Sequence, residues 1–419
     1  MQKSAVLKKL PWHPLFAASL ISVTSFLVQA QTGLFPFVRQ LPITLAAPAG
    51  NGDVNPYGIA FVPKGIKEGQ TSSVNTGDLL ISNFNNANNV AGTGTTITRV
   101  TPQGTVSNFF TATPGHGLTN GLVVMQNGTV IVGSLPTANG IPQSGSIIFL
   151  DRLGKGIPLT INGGTQTGAG VGELTNALLN GGNRSGPNLS PIQGPWSMVL
   201  DDNGLGSAKL YVSMVLSGTV QRFTISYDAD QANIAINGFT RIADGYAHKP
   251  DAAGLVLGPS GLYHFVKIDT KTNFRHDDLY VANSADNSIY LVNDAGWTTA
   301  NATGFTGLRI NVVETIPDPN NPNATITANP LHGPLGLTLA PNGNLIAANS
   351  DPTASMDPNH PSELIEFQTD GTFVSRQSID PANGGAFGLA FSPLGATAAR
   401  LAFVNDNQVS VGRSVVAVQ

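Results

Sequence analysis

Residues 258–296 read GPSGLYHFVKIDTKTNFRHDDLYVANSADNSIYLVNDAG. A Gly-Pro turn leads into a short apolar strand. A second strand, LYVAN, stops at an Asn. After a tight polar turn comes a third, SIYLV, which ends at another turn. Short runs of β-branched and aromatic residues between Asn, Asp, Gly and Pro turns are the chemistry of antiparallel hairpins.

Working outward, the same cadence recurs over Asn55–Phe110, Leu118–Gly154, Gly194–Ser226, Gly333–Arg376 and Gly385–Val416. Equivalent positions are Gly58, Gly121, Ser197, Gly261, Gly336 and Gly388. They stand farther apart than the ~40–50 residues of common propeller blades. The excess lies in the polar inserts Gly163–Pro191, Thr298–Pro330 and Asp351–Pro361. One small sheet cannot bury both its faces, but a ring of them can, each packed between two neighbours. The chain therefore reads as all-β, a six-bladed β-propeller. Seven blades is the alternative, should the insert 163–191 hold another unit. The last repeat shows three strands, and LPITLA at Leu41–Ala46 is spare. It is expected to complete the last blade, so that N- and C-terminal strands close the ring. Val171–Leu179 suggests a short helix.

Composition agrees. Of 419 residues 48 are Gly and 28 Pro, and only 11% are charged. So many turn-formers are incompatible with a helical protein. Net charge is −4 with 21 Lys and Arg, which gives no electrostatic footprint for nucleic acid. Cys is absent, which excludes disulfide scaffolds, Cys-ligated zinc and thiol catalysis. Lys3, Lys8 and Lys9, the apolar run Leu15–Val28 and the small residues Val28 and Ala30 are ordered as in a secretory signal peptide. Residues 1–30 are expected to be removed, leaving 31–419 as one propeller domain in the periplasm or outside the cell. No later segment is apolar and long enough to span a bilayer as a helix.

The cadence of Leu279–Val292 (LYVANSADNSIYLV), with Gly333–Asn349 next, resembles NHL-repeat six-bladed propellers of exported bacterial proteins. The resemblance implies a central channel whose one mouth gathers the functional loops. It names no activity. The similar six-bladed sugar-lactone hydrolases open their first blade with a metal-binding Glu, where this chain has NPYG.

Candidate site residues follow from that placement. Asn83, Asn283, Asn349 and Asn405 end second strands, where amide oxygens suit a polar ligand or calcium, or cap their own turns. Asn120 stands in the second repeat's LTNGL. Trp196 opens the third, as a stacking platform or a wedge between blades. His116 and His332 precede first strands, and Asp351 and Asp406 follow second strands. Brought together, they would suit zinc. The run Asn83–Asn89 (NFNNANN) reads as an exposed loop, and His264, His276, Asp277 and Asp278 as a solvated surface group. There is no nucleophile elbow, no P-loop and no evident pair of glycosidase acids. The expected function is therefore binding of a protein, peptide or glycan through the loops of one face. A metal-assisted lyase or hydrolase at the channel mouth is the alternative.

Overall fold

Six antiparallel sheets, each built on four strands, follow one another around an axis. The computed structural model describes residues 33–35, 41–44, 51–64, 71–168, 170–180, 190–231, 233–350, 361–393 and 398–417. From the axis outward, the first blade is Val54–Phe61, Leu79–Asn85, Thr96–Val100 and Val106–Thr111. The second is Leu118–Val124, Val130–Ser134, Ser146–Leu150 and Glu173–Leu174. The third is Pro195–Asp202, Ser207–Met214, Thr219–Tyr227 and Ile234–Asp244. The fourth is Pro259–Ile268, Arg275–Asn283, Ser288–Val292 and Leu308–Ile310. The fifth is Pro334–Leu339, Leu345–Ser350, Ser362–Phe367 and Phe373–Asp380.

The sixth blade runs Ala386–Pro393, Ala398–Asn405, Ser410–Ala417 and then Leu41–Thr44. Leu41 pairs with Arg413 and Thr44 with Ser410, so the first strand in sequence closes the ring as expected. Just upstream, Leu34 and Phe35 pack into the core between the fifth and sixth blades. There the buried Glu366 carboxylate accepts from the Leu34 amide at 2.6 Å and the Ser375 hydroxyl at 2.7 Å.

The inserts hold no seventh blade among the described residues. Leu159–Ile161 and Gly164–Thr165 extend the outer edge of the third blade, with Leu159 pairing parallel to Ile234. Lys249–Asp251 and Leu255–Leu257 form a hairpin between the third and fourth blades. Glu314–Asp318 and Asn321–Ala328 form another between the fourth and fifth. The helix is confined to Asn176–Asn180. Gly170 and Gly172, at φ +77° and +89°, turn the chain out of helical geometry before it.

The repeating Gly has a physical reason. Every innermost strand loses register at that point: between Pro56 and Ile59, Leu118 and Leu122, Pro195 and Met198, Pro259 and Leu262, Pro334 and Gly336, and Ala386 and Leu389. Such bulges re-aim a side chain. They also bring successive innermost strands into close contact around the axis. A Cβ on Gly336 would lie 2.3 Å from the Phe387 carbonyl oxygen, and one on Gly388 would lie 2.4 Å from that of Tyr57. Hydroxyls stitch the same belt. Ser82 donates to the Thr119 carbonyl (2.6 Å), Thr119 to Pro195 (2.8 Å), Ser213 to Ser260 (2.9 Å) and Ser260 to Pro334 (2.6 Å). Each bond joins one blade to the next and satisfies a buried carbonyl at or beside the bulge.

Candidate functional site

The residue before each repeat Gly sits in a bulge at the axis: Tyr57, Asn120, Trp196, Ser260, Leu335 and Phe387. Four are large, and they plug the channel. Tyr57 stacks on Phe387 with centroids 4.2 Å apart and meets Trp196 edge-on at 5.6 Å. Phe84 fills in against Tyr57 at 5.0 Å and Trp196 at 5.4 Å. From the opposite side Asn120 donates across the axis to the Leu335 carbonyl at 3.2 Å.

Above this plug lies a cavity of about 380 Å³, on the face where loops enter first strands and leave second strands. Tyr57, Trp196, Leu335 and Phe387 make its floor. The hairpin tip Ala252–Gly254, with Val256 and Leu257, makes an apolar wall. Asn55, Asn85, Asn89, Asp406 and Asn407 make a polar one. Asn85 donates to the Asn89 side-chain oxygen at 2.6 Å. With its amide turned to satisfy both neighbours, Asn55 donates to both Asp406 oxygens at 3.1 Å and accepts from Asn85 at 3.0 Å. Asn55 and Asn89 hold left-handed backbone, φ +59° and +57°. Burial pushes the Asp406 carboxyl up to about 7 and, with Asp406 nearby, raises the Tyr57 phenol. A larger hollow of about 600 Å³ opens on the opposite face around Asp202 and Leu205. The Asp202 carboxylate there is already bonded to Tyr227 Oη (2.5 Å) and to the amides of Gly204 (2.9 Å) and Gln126 (2.7 Å), which leaves it little to offer a ligand.

The strand-end Asn residues are consumed by hydrogen bonds in their own blade or to the chain just before it. Asn83 donates to Thr96 and Thr98 (2.9 and 3.2 Å), Asn283 to the Ala247 carbonyl (3.1 Å) and Asn349 to the Pro330 carbonyl (2.8 Å). Asn405 donates to Asp380 at 3.0 Å. The amide oxygens of Asn283, Asn349 and Asn405 accept backbone N–H groups from Ala285, His332 and Gln408. In the NFNNANN run, Asn83, Phe84 and Asn85 are buried, whereas Asn86, Asn88 and Asn89 are loop residues. Sequence reading singled out Trp196 and Asp406 at the cavity and missed Tyr57, Phe387, Asn55 and the hairpin.

His116 stands on the second blade and His332 on the fifth, opposite each other in the ring; Asp351 lies outside the described residues. Among the described residues, two groups of three His or acidic side chains bring ligand atoms within 4.8 Å of one another, and neither contains His116, His332 or Asp406. His116 Nδ1 donates to the Thr113 carbonyl at 2.7 Å, and Nε2 faces Glu173 Oε1 at 2.9 Å. Both His116 ring nitrogens are thus engaged within the protein rather than aimed at a metal. The Glu173 hydrogen bond raises its pKa above the ordinary 6.5, against the opposing effect of burial. This pair stabilises the fold while Glu173 is ionised and the pH lies below 6.5, and that contribution fades as pH rises through the raised value. Glu173→Gln is expected to bring the His116 titration, followed by NMR, back toward 6.5.

One group is corrected by the structure. Asp277 is fully buried and His264 nearly so, at the junction of the third and fourth blades. Asp277 meets Lys209 Nζ at 3.1 Å and an Arg275 amino group at 2.9 Å. The same amino group lies 2.8 Å from Asp201. His264 stacks on Tyr211 at 5.1 Å, and burial lowers its pKa. Asp201, His264 and Asp277 offer a metal-like set, but the Arg275 guanidinium stands between the two carboxylates. Two acids and two bases cancel, which describes an interlock between blades.

No family model matches the chain, and no curated protein matches it. Among solved structures, the chain is similar to a protein from Lactobacillus plantarum at 12% identity, over 81% of this chain and 88% of that one, with TM-score 0.36. It is also similar to the α-L-arabinofuranosidase Arb93A from Fusarium graminearum at 11% identity, over 91% and 98%, with TM-score 0.43. A third is BBS1N from its complex with ARL6DN, at 11% identity over 91% and 98%, with TM-score 0.37. At these scores the likenesses assign no activity to this chain.

Proposed function

We propose that the protein is an exported, NHL-like propeller that acts as a binding module. The ligand is an exposed end or side group of a glycan or peptide, received in the axial cavity. The observation that carries this reading is the cavity itself: an apolar floor from four blades facing an Asn-rich wall with one carboxyl. Its volume falls in the range of small-molecule sites, roughly 300–1,000 Å³, enough for one terminal group rather than a whole partner. Hydrolysis of a glycosidic bond ordinarily needs two carboxyl groups across the bond. Among the described residues lining the cavity, Asp406 is the single acid, which favours binding. The N-terminal signal pattern supports export, and among the described residues no helix is long and apolar enough to cross a membrane.

The test uses residues 31–419 against arrays of immobilised glycans and peptides, with Ala253→Trp as the variant that blocks the mouth from the exposed hairpin tip. Wild-type binding that Ala253→Trp abolishes, with an unchanged melting temperature, is the expected result. Binding that is indifferent to Ala253→Trp places the ligand elsewhere and sinks the proposal.

A further inference from the structure

We infer that the axial cavity selects ligands that present an aliphatic ammonium group; the inference rests on the proposed binding function and names its ligand chemistry. Asp406 follows the second strand of the sixth blade, and its carboxyl faces the cavity. The side chain that donates to it among the described residues is the neutral Asn55 amide. No Lys, Arg or His is found among the described residues that line the cavity. Asp380, in the same loop network, is turned away onto Asn405, Asn407 and Gln408. The wall thus holds an acid with no cation among the described residues, over an apolar floor.

Asp406 is half-buried, and a carboxylate partly withdrawn from water is stabilised by a counter-charge. In this cavity no described residue supplies one, and a ligand can. An ammonium supplies three donors and a positive charge. Asp406 offers two acceptor oxygens, and the Asn side chains offer others around it. The floor explains why the charge matters: at low dielectric the attraction between carboxylate and ammonium greatly exceeds its value in water. A hydroxyl in the same place gains none of that charge term. The raised carboxyl pKa is the same imbalance seen from the protein's side, since desolvation without a counter-charge disfavours the ionised form. Tyr57, the other titratable group among the described lining residues, is held neutral by its burial.

The experiment compares two pairs in which ammonium groups are set against neutral polar groups in the same place: Nα-acetyl-lysine amide against its Nε-acetylated form, and cadaverine against pentanediol. The first pair represents a peptide side chain and the second a free amine. Titration is followed by Trp196 fluorescence at about pH 8, where amines of pKa about 10.4 are charged, and again at about pH 5.5, where Asp406 is protonated. In at least one pair the ammonium member is expected to bind about ten-fold tighter at the higher pH, as one charged hydrogen bond of ~1.5 kcal/mol would give. That ratio should collapse toward one at the lower pH. Asp406→Asn, checked for an unchanged melting temperature, should remove it at both. Equal binding within a pair, or an ammonium preference that survives Asp406→Asn, overturns the inference and leaves the binding function standing. Failure of both pairs also overturns it, and if the glycan and peptide arrays are blank as well, the binding function falls with it.

Discussion

Asp277→Ala is expected to lower the stability of the ring by about 3 kcal/mol. Asp277 is fully buried between the third and fourth blades and serves Lys209, Arg275 and His264 at once. Removing one member of a buried ion network costs about 3–5 kcal/mol, because the partners keep their desolvation without their counter-charge. The low end applies here, since the Arg275 side chain is 41% exposed and can turn to water. Asp278→Ala, one residue along and on the opposite face of the strand, loses only the hydrogen bond to the Asp294 amide and should cost about 1 kcal/mol. Denaturant midpoints of the two variants measure the difference. Equal midpoints would show that the interlock carries no net stability. Because the cluster joins two blades far from the axial cavity, ligand binding by folded Asp277→Ala should be unchanged.

How far the fold could be read in advance follows from the same residues. The six bulge positions announce themselves because only Gly, or Ser197 once, tolerates the neighbouring innermost strand. That steric demand leaves a mark at every repeat. The outermost strands leave none. Glu173–Leu174 and Leu308–Ile310 are two and three residues long and exposed on one side, too short for an alternating pattern to register. The site was half visible. Trp196 and Asp406 lie at recognisable repeat positions. Tyr57 and Phe387 sit one residue before the repeat glycines, but their convergence depends on a bulge that no local signal marks. Asp277 and His264 misled for another reason. A polar cluster in a hairpin reads as solvated, and only the packing of adjacent blades shows that Lys209 and Asp201, distant in sequence, complete its charge balance.

Trp196→Ala is expected to cost about 3–5 kcal/mol, the range for deleting a large buried aromatic. The indole is 1% exposed and heads the fully buried side chains by size. It holds Tyr57 and Phe84 edge-on at the axis, where blades one, three and six meet. The size of the loss separates the two roles that Trp196 could have. A stacking platform would lose ligand affinity on truncation at small cost to the fold. A plug would lose stability first, because truncation leaves a void at the one place every blade reaches. Trp196→Phe keeps a ring in the gap and should recover more than half of the loss. The chain has three Trp, at positions 12, 196 and 297; Trp297 is 52% exposed. In residues 31–419 the buried emission therefore belongs to Trp196 alone, and its disappearance in Trp196→Phe confirms the assignment on which the fluorescence titrations depend. A Trp196→Ala protein as stable as wild type would mean that the axis is not a packed core. The cavity floor would then be open, and the apolar surface that strengthens Asp406 as a cation acceptor would be lost with it.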